Sequence, residues 1–155
     1  MNIKDLPFPL YGDAAFRGKC PPEHIEQASF FSRLRREYPD SWGLIALHPR
    51  NEGLLVKGQF QAVNKHRMEG MAKGAADIVI PAARAFVCEL KRQDHTQSKW
   101  QDGQQEYLAA ASNAGAFVCV ALGAVAARSA SSLASSRQST SPMRASAETM
   151  PCDCQ

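Results

Sequence analysis

Apolar and polar positions alternate along this chain in a sequence of distinct rhythms. Ile25, Ala28, Phe31, Leu34 and Tyr38 recur at steps of three and four residues, the spacing of a buried helical stripe. Pro21-Pro22 suits the approach to that helix and Pro39-Asp40 its end. The run from Trp42 to Leu47 predicts a first strand, leading into the polar turn His48-Pro49-Arg50-Asn51-Glu52-Gly53. From about Gly58 to Met71 the pattern is mixed, with QFQAVNKHRMEGM predicting a helix interrupted near Gly70. Ile78-Val79-Ile80 is a short apolar run bounded by Pro81, as in a buried strand, and Ala82-Ala83-Arg84 connects it to a strand over Ala85 to Leu90. A polar segment, Arg92 to Asp102, precedes a helix from Gly103 to Asn113 with Tyr107, Leu108 and Ala111 inward and Gly115 at its C-terminal cap. Phe117 to Leu122 is apolar throughout, which predicts a last strand covered on both faces.

The rhythm stops at both ends. Residues 1–22 are punctuated by Pro and Gly and are expected to be an irregular lead-in. After Ala127 the composition turns to Ser, Ala and Thr, so residues 128–155 are expected to form a disordered tail, with too little apolar area to offset chain entropy. Between them, residues 23–125 predict one α/β domain with the order α-β-β-β-α-β. A chain of 155 residues is long enough for one such core and too short for two ordinary ones.

Composition adds limits more than direction. A formal net charge of +3 permits a polyanionic partner without arguing for one. No stretch approaches the roughly 18 to 20 apolar residues of a membrane span. Prolines and acids stand where a secretory signal would carry its apolar core, so a cytoplasmic location is expected. The five cysteines have an odd count and no framework spacing, which argues against a disulfide-stapled fold. Cys152 and Cys154 lack the second ligand pair that a zinc site needs. His48, His66 and His95 match no metal-ligand spacing: His48 reads as scaffolding, and His66 and His95 as polar loop residues.

One stretch carries the chemistry, GAADIVIPAARAFVCELK from Gly74 to Lys91. If its two apolar runs pair as a hairpin, Asp77, Glu89 and Lys91 converge at one end of a sheet. Glu89 and Lys91, two residues apart on a strand, point to the same face. Two carboxylates and an ammonium held together are costly as packing, and the carboxylates suit a hard cation such as Mg²⁺ or Mn²⁺. A cross-strand ion pair on a solvated face is the competing reading.

The order of motifs around this stretch resembles the virus-type replication–repair nuclease domain, VRR-NUC, a branch of the PD-(D/E)XK superfamily. Five pieces over roughly residues 23 to 125 carry the resemblance: Glu26-Gln27 on the first helix; the turn Asn51-Glu52-Gly53; Gly70-Met71-Ala72-Lys73-Gly74 running into Asp77; Glu89-Leu90-Lys91; and a helix opening Gln104-Gln105-Glu106 and closing at Gly115. Ala76 departs from the family, which usually has Pro before the Asp. The resemblance implies a restriction-endonuclease-like core, a mixed sheet flanked by helices, and a Mg²⁺- or Mn²⁺-dependent DNA endonuclease. Metal ligation would fall to Asp77, Glu89, Glu26 and the backbone carbonyl of Leu90, with Lys91 supporting the attacking water and Gln104 positioning it. It also implies DNA as partner, branched forms such as a junction or flap included, a homodimer, and a setting in phage or prophage DNA replication or repair, in a bacterial or infected cell. Two other functions remain open at this point, a non-catalytic nucleic-acid-binding module on the same fold and a restriction- or defence-type nuclease. Arg50, Lys57, Lys65, His66, Arg67, Lys73, Arg84, Arg92 and Lys99 surround the motif and favour a polyanion as a group. Trp100 is expected to pack under the last helix rather than stack on a base.

Overall fold

A computed structural model describes residue 3 and residues 6–49 and 68–138. Its centre is a four-stranded mixed sheet in the order β1-β4-β3-β2. β2 (Ile78–Ile80) and β3 (Phe86–Lys91) are the antiparallel hairpin that the apolar runs predicted, in the register Ile78↔Cys88 and Ile80↔Phe86. β4 (Phe117–Leu122) lies parallel to β3, and the two pair over six residues from Phe86↔Phe117 to Lys91↔Leu122. Every residue of β3 and β4 is buried, as continuous apolar runs covered on both faces require.

Side-chain alternation sorts β3 between two cores. Phe86, Cys88 and Leu90 face one layer, formed by α1 (Glu23–Glu37), the short α2 (Trp42–Ile45) and α4 (Gly123–Gln138). Val87 faces the other, formed by α3 (Gln104–Asn113), where Leu108, Val118 and Val120 complete the cluster. Glu89 and Lys91 share the parity of Val87 and therefore the α3 side of the sheet. α3 starts at Gly103, which takes φ 91°, and ends in a Schellman-type closure at Gly115. There the amide of Ala116 donates to Ala111 and that of Gly115 to Ser112, each at 3.0 Å.

Four expectations are corrected. The segment from Trp42 is a helical turn and not a strand, because Gly43 closes it onto the end of α1: its amide donates to the Tyr38 carbonyl at 2.9 Å, and a Cβ there would stand 2.5 Å from that oxygen. Only Leu47 keeps strand character, exchanging both backbone hydrogen bonds with Val79. The lead-in is not wholly irregular, since Leu10–Tyr11 forms β1, parallel to β4. In α1 the buried face is Glu26, Phe30, Phe31 and Leu34, while Ile25 is 48% exposed. The Ser/Ala stretch is helical through Gln138, with Ala127, Ala130, Ser131 and Ala134 forming a small-residue stripe against the core. Among the described residues the helices and strands thus run β-α-α-β-β-α-β-α, where the sequence predicted α-β-β-β-α-β. The Asn51-Glu52-Gly53 turn, the mixed segment before Met68 and residues 139–155 lie outside the described residues.

The loop before Asp77 is fixed by one close approach. Gly74 takes φ +70°, and a Cβ on it would lie 2.1 Å from the Gly103 carbonyl carbon and 2.4 Å from the Gln104 nitrogen. Both are backbone atoms at the start of α3, so the clash cannot relax by a rotamer change. Gly74→Ala should therefore lower the melting midpoint by about 10 °C or more, from overpacking and backbone strain together. A midpoint within about 3 °C of the wild type in a thermal melt would show that the loop does not bear on α3 as described.

Candidate functional site

The hairpin places Asp77 one residue before the Ile78↔Cys88 pair, and hence beside Glu89 on the neighbouring strand. Asp77 is half-buried, Glu89 is 0% exposed and Lys91 2%. A solvated-face ion pair is excluded by that burial. Lys91 Nζ donates to Glu89 Oε1 at 2.7 Å, to the Lys99 carbonyl at 3.2 Å and to Gln104 Oε1 at 3.3 Å. Glu23 Oε1 lies 3.8 Å from the same ammonium, and the Trp100 ring 5.0 Å from it. Trp100 thus packs over the lysine within the α3 core, as expected of a packing residue. Asp77 Oδ2 accepts from the backbone amide of Leu90 at 3.0 Å. In an extended strand the amide and carbonyl of one residue leave on the same side, so the Leu90 carbonyl is turned toward Asp77 as well.

Electrostatics at this point are unfavourable to both carboxylates. Burial pushes Asp77 up to about 6; Lys91 and the Leu90 amide oppose that shift, and the Glu23 carboxylate adds to it. Glu89 rises to about 8, from burial first and Asp77 second, with Lys91 pulling the other way. Desolvation lowers the Lys91 ammonium, but Glu89, Glu23 and Asp77 outweigh it and leave the group raised. One oxygen has no partner among the described residues: Glu89 Oε2 is buried and makes no hydrogen bond to any of them. A buried unpaired carboxylate oxygen beside a second carboxylate is the kind of donor set that a hard cation satisfies. Among the described residues, no group of three or more His, Cys, Asp or Glu side chains converges as a ready-made metal cage. The fit therefore rests on two carboxylates and a backbone carbonyl, leaving the remaining positions of a cation to water and substrate.

Of these residues Asp77 and Gln104 line a cleft of about 200 Å³, whose walls also include Glu23, His24, Gln27 and His48, with Glu89 and Lys91 buried behind them. Gln104 stands at the start of α3, its Oε1 also accepting from the Gln101 amide at 2.8 Å. Four of the residues picked from the sequence, Asp77, Glu89, Lys91 and Gln104, thus come together with the Leu90 backbone. Glu26 does not join them. Its Oε1 accepts from Gln93 Nε2 at 2.9 Å and its Oε2 from the Ala124 amide at 2.8 Å, so it caps the start of α4. The first-helix carboxylate that reaches the cleft is Glu23, one turn earlier, held by the Ser98 hydroxyl at 2.8 Å. Glu23 and Gln27 are four residues apart and share a helix face, a spacing that could have marked Glu23 in place of Glu26.

Gln27 and His48, neither of them picked as a site residue from the sequence, also line the cleft. Gln27 Nε2 donates to the Asp77 carbonyl at 3.2 Å, and His48 Nδ1 lies 2.8 Å from that oxygen and 2.6 Å from Gln27 Nε2. Together they fix the Asp77 peptide from the α1 side. Several basic residues turn out to serve the scaffold: Arg84 donates to the Gly115 carbonyl, Arg92 to that of Cys20, and Lys73 pairs with Asp102. His95 contacts the Ala14 carbonyl at 3.2 Å, tying down the lead-in. Arg50, Lys57, Lys65, His66 and Arg67 lie outside the described residues. No helix among the described residues is long and apolar enough to cross a membrane.

Comparison with known proteins agrees with this geometry at the level of fold. A solved structure described as a "VRR_NUC domain protein" superposes with a TM-score of 0.57 and 19% sequence identity, covering 76% of this chain and 89% of that one. A mixed sheet flanked by helices, as the sequence resemblance implied, is thus shared with that structure. No family model matches the sequence. No curated protein matches it either.

Proposed function

We propose that this chain is a Mg²⁺- or Mn²⁺-dependent endonuclease acting on DNA. The observation that carries the reading is the buried Glu89, with Oε2 unpartnered among the described residues, set beside Asp77 and against the Lys91 ammonium at 2.7 Å. Asp77, Glu89 and the Leu90 carbonyl would hold the cation, with Glu23 rather than Glu26 as the assisting carboxylate. Once bound, the cation would polarise the scissile phosphate and lower the pKa of a coordinated water.

The chain's own groups supply the rest. Lys91 is fixed by Glu89, Gln104 and the Lys99 carbonyl, so its charge stands ready where negative charge develops on the phosphate. Gln104, anchored by the Gln101 amide, orients the attacking water through its side-chain amide. Gln27 and His48 hold the Asp77 peptide still, which matters because small displacements of a ligand cost large factors in rate. A cleft of about 200 Å³ would take a phosphodiester group and restrict bulk water around it.

Incubating the purified chain with supercoiled plasmid, linear duplex, flap and four-way junction DNA tests this directly. Cleavage is expected with Mg²⁺ or Mn²⁺ and none with EDTA, branched substrates being cut best. DNA binding with no metal-dependent cut in any of these substrates would replace the enzyme reading with that of a binding module.

A further inference from the structure

We infer that the outer face of α1 is the track for the cleaved strand, with Arg35 taking a backbone phosphate several nucleotides from the cut. The inference rests on the nuclease reading above and extends it to the substrate path. Next to the catalytic cleft lies a second, more open groove of about 540 Å³. The two share His24, Gln27 and His48, so they form one continuous channel. Beyond those three residues the groove runs along α1 past Phe31 and Ser32 to Arg35.

The positions follow helix geometry. His24, Gln27, Phe31 and Arg35 recur at steps of three and four, so they line one face of α1, adjacent to the face that packs on the sheet. Chemically the channel divides in two. The cleft end carries the carboxylates Glu23 and Asp77, suited to a cation. The α1 end is lined by no carboxylate among the described residues, and offers imidazole, amide, hydroxyl and guanidinium groups, suited to phosphate oxygens. Arg35 lies over the Phe31 ring at 5.3 Å, which holds the exposed guanidinium at the groove floor. The groove beside β1 and α4 lacks this character, its lining including Tyr11, Phe16, Val125 and the acid Asp13.

Distance then sets the register. Eight residues separate Gln27, which touches the Asp77 carbonyl, from Arg35, or about 12 Å at the helical rise of roughly 1.5 Å per residue. A strand advances about 3.4 Å per nucleotide along a duplex, so Arg35 meets a phosphate roughly three to four nucleotides from the scissile bond. The strand must extend at least that far on one side of the cut and has no such requirement on the other.

Arg35→Glu and Arg35→Gln, with Arg36→Glu as a control one position round the helix, test the inference by steady-state cleavage of matched oligonucleotide substrates. Thermal melts of each variant check folding. The expected result is a KM raised ~10-fold in Arg35→Glu and less in Arg35→Gln, kcat within about twofold of wild type, and a salt slope of binding lower by about 1 for Arg35→Gln. Trimming the strand to two nucleotides on one side of the cut should raise the wild-type KM and erase the difference from Arg35→Glu. Trimming the other side should leave that difference in place. If Arg35→Glu and Arg36→Glu behave alike, or neither trim erases the effect, the track is wrong and the nuclease reading stands. A wild-type chain that cuts nothing overturns both.

Discussion

Glu89→Gln should cost at least ~10³-fold in metal-dependent cleavage without lowering the melting midpoint at pH 7. On the proposed reading Glu89 is a direct cation ligand, and its loss should exceed the 10- to 100-fold typical of losing an outer hydrogen-bond partner. The stability result follows from the state of the carboxyl in the metal-free fold. With burial and Asp77 pushing it up to about 8, Glu89 is largely a neutral acid at pH 7, and an amide of the same shape replaces it closely. The amide oxygen still accepts from Lys91 Nζ, as Glu89 Oε1 does at 2.7 Å. The pH dependence has a defined sign. A carboxyl raised in the fold contributes stability that is full below its unfolded value and is lost as pH rises through its folded value. The metal-free wild type should therefore lose stability through pH 6, from Asp77, and again toward pH 8, from Glu89. Glu89→Gln should remove the second loss, so that it melts above the wild type at pH 8.5, and added Mn²⁺ should stabilise only the wild type. A midpoint depressed by 10 °C at pH 7 would instead make Glu89 a structural partner of Lys91.

This opposition of function and stability also explains what the sequence discloses and what it conceals. The β2–β3 hairpin and β4 were readable because a fully buried strand writes itself as an unbroken apolar run, and a charged residue inside such a run is conspicuous. Glu89 and Lys91 interrupt the end of FVCELK, and both are buried there. The reading failed where small residues do the packing. Ala127, Ala130, Ser131 and Ala134 bury a helix with so little apolar volume that the stretch resembles an unstructured tail. It failed again at Gly43, where a tertiary contact with Tyr38 overrides the strand propensity of Trp42, Leu44 and Ile45.

Glu26 shows a subtler failure. An acid next to Gln27 looked like the assisting carboxylate, yet its oxygens are spent on the Ala124 amide and on Gln93. That role depends on where α4 begins, 98 residues later, and no local pattern reports it. The candidate cluster was thus legible along the β2–β3 hairpin and at Gln104, where α3 opens. It was illegible on α1, where a helix face had to be chosen without knowing what packs on it.

Lys91→Met is the change that separates a catalytic ammonium from a structural one. Breaking a buried ion pair by removing one partner usually costs about 3–5 kcal/mol, because a charge is left unpaired in the interior. Here the partner can escape by binding a proton. Lys91 is a main influence lowering both carboxyls, so its loss drives Asp77 and Glu89 further up and leaves them neutral over a wider range. At pH 6 the variant should therefore be destabilised less than at higher pH, the methionine stem filling the space while the hydrogen bonds to Glu89, Gln104 and the Lys99 carbonyl and the contact with Trp100 are lost. By pH 9 the deficit should grow as the two carboxylates are forced to ionise without their counter-charge. Cleavage at pH 7 should fall by ~10³-fold or more, and the metal concentration giving half-maximal residual rate should rise, since the cation must now displace protons. That residual rate should recover steeply with pH, which a variant damaged only in folding would not do. If Lys91→Met instead unfolds equally at pH 6 and pH 9, or cuts DNA at the wild-type rate, the ammonium belongs to the scaffold, and the pairing with Glu89 is a packing device.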